Sequence, residues 1–418
     1  MYILKKHKVE LLFYLLSIFF LRVPIISIQG IPLFSTHVIA VSFIFFFFLT
    51  SLFETFKEKK ALITLNIEMI AILFFFLTQA LSAIYAVSMS SFLNRFTKLS
   101  IALILFIITK RFLQKYDMYS FVLNTLLISS AVAIAFQIFL YLAPEQYLSI
   151  MNLFQQVNLT SVTEANIAYQ KLFDDTYIES VLPIAFYQMQ TGQTFVIRGL
   201  STAMLYITFV VSFISNFRYR LVSAFFAITA SFVTLTQQRL KIFLPIVMIS
   251  TFLSLLILLD VVFLQTSAFT IIDRFMLRSS LTDTSSIVWR IEMAHESMEM
   301  ATTFPTGVGL GNFQDYLPSK NTNYTLFSSR EVIAEGALTA GPHNIFFQTL
   351  GETGFPGMIA LITMLFVFLY KDIRILKAQQ SDKKAIIVSF WTLVVMLQFF
   401  PGTNLTYYTL FFLLRALI

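Results

Sequence analysis

The amino-acid sequence predicts an all-α polytopic membrane protein of about twelve transmembrane helices, with a large external loop containing short helices. Three observations predict it. Of 418 residues, 57% are hydrophobic and only 12% are charged, against about 25% charged in soluble domains. Apolar runs recur along the chain at the length that crosses a bilayer, about 20 residues. Basic residues cluster between particular runs, as they do in cytoplasmic loops. The whole chain, 1–418, therefore reads as a single integral membrane domain. The net charge of +7 belongs to those basic loops and not to nucleic-acid binding. The chain has no cysteine, which excludes disulfides, thiolate metal sites and cysteine nucleophiles.

Taken in order, Lys5, Lys6 and Lys8 precede an apolar run with no small-residue cleavage site behind it. It reads as an uncleaved first span. The runs lie at 10–28, 33–53, 64–87, 96–112, 119–142, 199–216, 221–238, 240–268, 345–370, 385–400 and 403–417. Clusters at Lys57/Lys59/Lys60, Lys110/Arg111/Lys115, Arg218/Arg220 and Lys371/Arg374/Lys377 mark inner ends. Alternation from the N-terminus places 143–198 outside, as a first outer loop and interfacial cap. Between Arg220 and Lys371, both inner, three runs are counted, an odd number. Splitting 240–268 into two short crossings, or a re-entrant element, restores parity and puts 269–342 outside.

The segment 269–342 is the richest in charge, and a connection that long is usually functional or disordered. Within it Ile287, Ile291, Ala294, Met298 and Ala301 recur at helical spacing, predicting an amphipathic helix over 285–302. Arg290 flanks that stripe. Pro305-Thr306-Gly307-Val308-Gly309-Leu310-Gly311-Asn312 ends the helix. With no strand before it, this glycine run reads as a tightly packed turn and not a nucleotide loop.

Gly341-Pro342-His343-Asn344 follows, where the polar segment meets an apolar run. Pro342 suits the first turn of a helix. A helix N-terminus attracts anions and disfavours protonation of a nearby imidazole, so His343 is a candidate general base. Glu352 lies nine residues on, which on a straight helix faces the opposite side. It reads as a structural acid at a backbone break permitted by Gly351, Gly354, Pro356 and Gly357. Arg239, at the outer end of a run, and Arg198, at the start of one, depart from the positive-inside rule. Such arginines either snorkel or hold a phosphate-bearing ligand at the bilayer surface, by their forked guanidinium. No metal or other cofactor is expected: His343 has no histidine one turn on, and His295 with Glu299 reads as a solvated pair.

His343-Asn344 with Glu352-x-Gly354-x-x-Gly357, and Arg290 in a helix before Pro305 to Phe313, resemble the bacterial O-antigen ligase and O-antigen polymerase superfamily. The likeness is densest over 220–370. It implies an inverting, metal-independent glycosyltransferase in the inner membrane, with its active site facing the periplasm. The donor would be a glycan on undecaprenyl pyrophosphate; the acceptor would be another lipid-linked glycan or lipid A core. By the same resemblance His343 activates the acceptor hydroxyl, and Arg290, Arg239 and Arg198 bind pyrophosphate. Gln238 stands where the family usually has a serine before Arg239. Polymerase is favoured slightly over ligase. A transporter or lipid-linked sugar flippase is the alternative; it predicts ionisable residues deep in several spans and internal repeats, and no repeat is seen.

Overall fold

The computed structural model describes residues 24–28, 31–34, 42, 65–115, 119–143, 146, 178–214, 218–235, 293–319, 342, 344–377, 381–398 and 405–418. It opens with an antiparallel hairpin, β1 (Pro24–Ile28) and β2 (Ile31–Phe34), with Ile28 opposite Ile31. This short hairpin lies at the edges of the 10–28 and 33–53 runs; the other elements among the described residues are helices, as the all-α expectation has it. Its isoleucine-rich strands join through only Gln29 and Gly30, a length and composition that favour a hairpin.

Helices then follow the apolar runs: α1 (Ile67–Leu81), α2 (Met89–Lys115), α3 (Tyr119–Leu142), α4 (Leu182–Thr191), α5 (Phe195–Ile214) and α6 (Arg218–Leu235). After α7, over 293–303, come α8 (Phe313–Ser319), α9 (Ile345–Lys377), α10 (Ser381–Met396) and α11 (Leu405–Ala416). Among the described residues three helices are long and apolar enough to cross a membrane, within Ile67–Tyr85, Met89–Arg111 and Ile345–Lys377. Shorter apolar helices lie at Tyr119–Ala135, Phe195–Phe209 and Val222–Leu235. The run at 240–268, and with it the full span count, lies outside the described residues.

Lipid exposure is written on the helix faces. In α1, Met69, Ile72 and Phe75 are buried while Ile70, Phe74, Leu77 and Leu81 are exposed. In α9, Leu361, Met364 and Phe368 face inward while Ile359, Ile362, Phe366 and Leu369 face outward. Apolar stripes of that length on an outer surface suit a hydrocarbon solvent and not water. The inward faces pack α1 on α9 and α2 on α11; a second group joins α3, α4, α5, α6 and α10. α10 touches both α9 and α11 and so links the groups.

One end of the bundle carries the basic clusters. There Glu68 accepts from Lys110 at 2.9 Å and Lys371 at 2.6 Å, and pairs with Arg415. Arg415 reaches on to Asp372 at 2.7 Å, whose other oxygen accepts from Trp391 at 2.9 Å. Lys110 and Lys371 were expected at the same side, and they meet on one carboxylate.

Residues 178–191 belong to the end of the segment expected as an outer loop and interfacial cap. Ile178, Val181, Leu182, Ile184, Ala185 and Phe186 are buried. Glu179 accepts from Ser212 at 2.9 Å and pairs with Arg220 at 3.6 Å, at the junction of α5 and α6. The far end of α4 turns at Gly192 into the start of α5, where Arg198 donates to the Gly192 carbonyl. The segment therefore runs back along α5, inside the bundle. An apolar stretch carrying one buried acid is held there because Arg220, expected in a basic loop, turns inward to meet it.

Candidate functional site

The start of α9 is fixed before any chemistry is considered. Pro342 is buried, and the Asn344 side-chain oxygen accepts from the backbone N–H of Phe346 at 2.9 Å and Phe347 at 3.2 Å. Asparagine is among the strongest N-caps for this reason. The Asn344 amide donates to the Gln398 side chain at 3.2 Å, and the Ile345 N–H donates to the Leu397 carbonyl at 3.0 Å. The end of α10 thus sets where α9 begins.

Two turns further, α9 breaks. Gly354 has φ 63° and ψ −161°, outside the helical region. The freed backbone groups are taken by the turn over 305–312. Phe355 N–H donates to the Pro305 carbonyl at 2.9 Å, Val308 N–H to the Gly351 carbonyl at 3.3 Å, and Gly309 N–H to the Glu352 carbonyl at 2.8 Å. Contact is backbone on backbone, so both sides need glycine. A Cβ on Gly354 would fall 2.1 Å from the Pro305 oxygen, and one on Gly307 would fall 2.3 Å from the Glu352 oxygen. Gly307, Gly309 and Gly311 all have positive φ. The other side of the turn holds the α1–α2 connection: Leu310 N–H donates to the Ser82 hydroxyl at 3.0 Å, Val87 N–H to the Val308 carbonyl at 3.1 Å, and Ser88 N–H to the Asn312 side chain. The expected packed turn is what forms, and the N–H groups of Gly307, Val308, Gly309, Leu310 and Asn312 are spent on protein.

α7 docks on this turn with a face shifted from the expected one. Met293, Glu296, Ser297, Met300 and Ala301 are buried, whereas Met298 is 50% exposed. Met293 and Met300 pack with Val308, Phe313 and Leu317, so the turn and α8 select the face. Ile287, Ile291 and Arg290 lie outside the described residues.

Beneath the start of α9 lies a cleft of about 40 Å³ between α1, α2, α9 and α11, with Leu310 of the glycine turn among its walls. Its polar residues are Gln79, Arg95, Gln348, Thr349, Glu352 and the tyrosines Tyr407 and Tyr408; Phe75, Leu99, Met364 and Phe411 are among the apolar ones. Glu352, 2% exposed, accepts from Gln348 at 3.0 Å and pairs with Arg95 at 3.6 Å. Arg95 also hydrogen-bonds the Tyr408 hydroxyl. The Gln79 Nε2, on a residue 2% exposed, has no hydrogen-bond partner among the described residues.

Of the four residues expected to act, His343, Arg239 and Arg290 lie outside the described residues. Arg198 is exposed on the first turn of α5, with its Nε donating to the Gly192 carbonyl at 2.7 Å, and it does not line the cleft. Glu352 is held by Arg95 and Gln348, as a structural acid would be. Arg95 and Gln79 were not anticipated. Their signal was a cation one residue before the 96–112 run and an amide inside the 64–87 run. The donor atoms of His295, Glu296 and Glu299 lie within 4.8 Å of one another, with His295 and Glu299 exposed and Glu296 buried. Two of the three are thus solvated, so the group is a poor match to an enclosed metal site.

A helical membrane protein with a glycine turn clasped into a broken span is the class these features define. Within it, residues 203–362 match the family model described as O-Antigen ligase. The match begins inside α5 and ends inside α9, so it contains α7, the glycine turn and the break. A search of curated proteins finds no match.

Proposed function

We propose that the protein is a metal-independent, inverting glycosyltransferase that polymerises or transfers undecaprenyl-pyrophosphate-linked oligosaccharide repeats at the periplasmic face of the inner membrane. Chain growth onto another lipid-linked repeat is favoured over transfer to lipid A core. The observation that carries this reading is the O-antigen ligase match over 203–362, which contains both the clasped turn and the His343-Asn344…Glu352-x-Gly354-x-x-Gly357 stretch.

In this mechanism His343 takes the proton of the acceptor hydroxyl as its oxygen attacks the anomeric carbon of the donor sugar. A new C–O bond forms, the bond to pyrophosphate breaks, and the electron pair leaves on the lipid pyrophosphate. Arg290, Arg239 and Arg198 stabilise that charge. Because pyrophosphate already leaves well, the protein needs orientation, charge stabilisation and one base, and no protein nucleophile. The Asn344 cap and the Leu397 contact fix the helix start that immediately follows His343. That supports its use as an oriented base.

Purified protein in lipid nanodiscs, supplied with undecaprenyl-pyrophosphate oligosaccharide and either a second repeat or lipid A core, tests the reading. Product should form with divalent metals chelated. His343→Ala should lower turnover by about 10²- to 10⁴-fold, with insertion and melting temperature unchanged. Full activity from His343→Ala would remove the base from the mechanism.

A further inference from the structure

We propose that the basic end of the bundle binds the phosphate headgroup of an anionic lipid at Lys371 of α9 and Lys110 of α2, with the acyl chains lying along the outer faces of α1 and α9. The inference stands independently of the glycosyl-transfer reading.

The charge count calls for an anion. Lys110, Lys371 and Arg415 surround Glu68, and Arg415 also meets Asp372. Three cations thus face two carboxylates, and one positive charge is left over at the edge of an apolar bundle. Lys110 and Lys371 donate to the same oxygen, Glu68 Oε2, at 2.9 Å and 2.6 Å. Two ammonium groups held that close repel each other, and a second anion beside them relieves the repulsion. Among the described residues each ammonium spends one of its three donors, on Glu68, and has donors left for phosphate oxygens.

The layering puts that charge where a lipid reaches it. Glu68, Asp372 and Arg415 are each at most 1% exposed, whereas the Lys110 side chain is 17% and the Lys371 side chain 33% exposed. The acids lie inside and the ammonium groups outside. An anion arriving from the surface therefore meets both lysines before either carboxylate. Arg374, exposed one turn after Lys371, lies 5.7 Å from the centre of the Tyr370 ring and adds a further cation on the outer side. A lone lysine at a membrane edge commonly snorkels. Here both lysines are turned to one acid, so their spacing is set before any ligand arrives.

Apolar surroundings favour a lipid over free phosphate. Ile67 precedes Glu68 and Tyr370 precedes Lys371, and both are exposed. Exposed Ile70 and Phe74 continue along α1, and exposed Phe366 along α9, from the basic end toward the middle of the bundle. A phosphate seated at the lysines sends its acyl chains down these two rows, whereas a free phosphate leaves the rows unused.

The test uses full-length protein in nanodiscs of phosphatidylcholine, with and without phosphatidylglycerol, read by thermal unfolding and by mass spectrometry of the lipids retained on release. Wild-type protein is expected to retain phosphatidylglycerol over phosphatidylcholine about fivefold or more, the worth of one cation near a lipid surface, and to melt higher in the mixed nanodiscs. Lys371→Gln should remove most of the preference and of the shift, and Lys371→Arg should keep both. Lys383→Gln, which removes an equal charge at the start of α10, should leave both within twofold. Equal retention of the two lipids by wild-type protein overturns the site. So do equal losses from Lys371→Gln and Lys383→Gln, which would mark a diffuse surface attraction, and equal stabilisation by inorganic phosphate in pure phosphatidylcholine, which would mark a free anion. The wild-type comparison decides even where Lys371→Gln fails to fold.

Discussion

Two buried charge clusters lie at opposite ends of this bundle, and they are built on opposite rules. At the basic end, Glu68 and Asp372 use all four carboxylate oxygens, on Lys110, Lys371, Arg415 and Trp391. The Arg415 guanidinium, wholly buried, lies 4.2 Å from the centre of the Phe368 ring. At the glycine end, Glu352 and Arg95 meet more loosely, at 3.6 Å, beside a cleft and an amide that has no partner among the described residues. Nineteen residues of α9 separate Glu352 from Lys371, about 28 Å of helix and close to the thickness of a hydrocarbon core. Carboxylates with every oxygen paired hold their helices in one arrangement. The basic end is a staple holding α1, α2, α9 and α11 together; the glycine end is joined by a looser pair.

The strongest way to break that contrast is Arg415→Ala. It takes the Arg415 pair from Asp372, leaving that buried carboxylate with Trp391, and removes one of the three cations on Glu68. It should cost about 3–5 kcal/mol of stability, read as a large fall in melting temperature in detergent. A small fall would mean that water reaches Glu68 and Asp372, and the staple would be no staple. Gly354→Ala comes next. The residue has φ 63°, and an added Cβ would sit 2.1 Å from the Pro305 carbonyl oxygen. The expected cost is about 1–3 kcal/mol. Proteolysis should also open the 305–312 turn, because Phe355 and Pro305 could no longer meet. Gln79→Leu is the smallest and the most telling: stability should hold or rise by about 1 kcal/mol. Loss of stability there would make the glycine end a second staple.

Much of this was legible in the sequence. The runs at 64–87, 119–142, 199–216, 221–238, 345–370 and 403–417 reappear as helices with ends displaced by a few residues. Hydrophobic length is a local property that bilayer thickness reads directly. The breaker residues at 351–357 and the glycines at 307, 309 and 311 were also legible, as a helix break and a packed turn. Three features were not legible in the sequence. Residues 178–191 resemble a loop in polarity until Arg220 supplies a partner for Glu179. The buried face of α7 is set by Val308 and Phe313, which no helical period within α7 can foresee. The 24–34 hairpin sits where span edges and β-branched residues compete.

By itself, the sequence determined that this is a helical membrane protein, where its helices run, and where its chain must bend, because hydropathy and glycine act residue by residue. Only tertiary structure decided that the turn over 305–312 closes on the break in α9, that Arg95 pairs with Glu352, and that Gln79 lines the cleft beside them. Those pairings join residues far apart in the chain, and an ion pair or a shared carbonyl exists only once packing has brought both halves together.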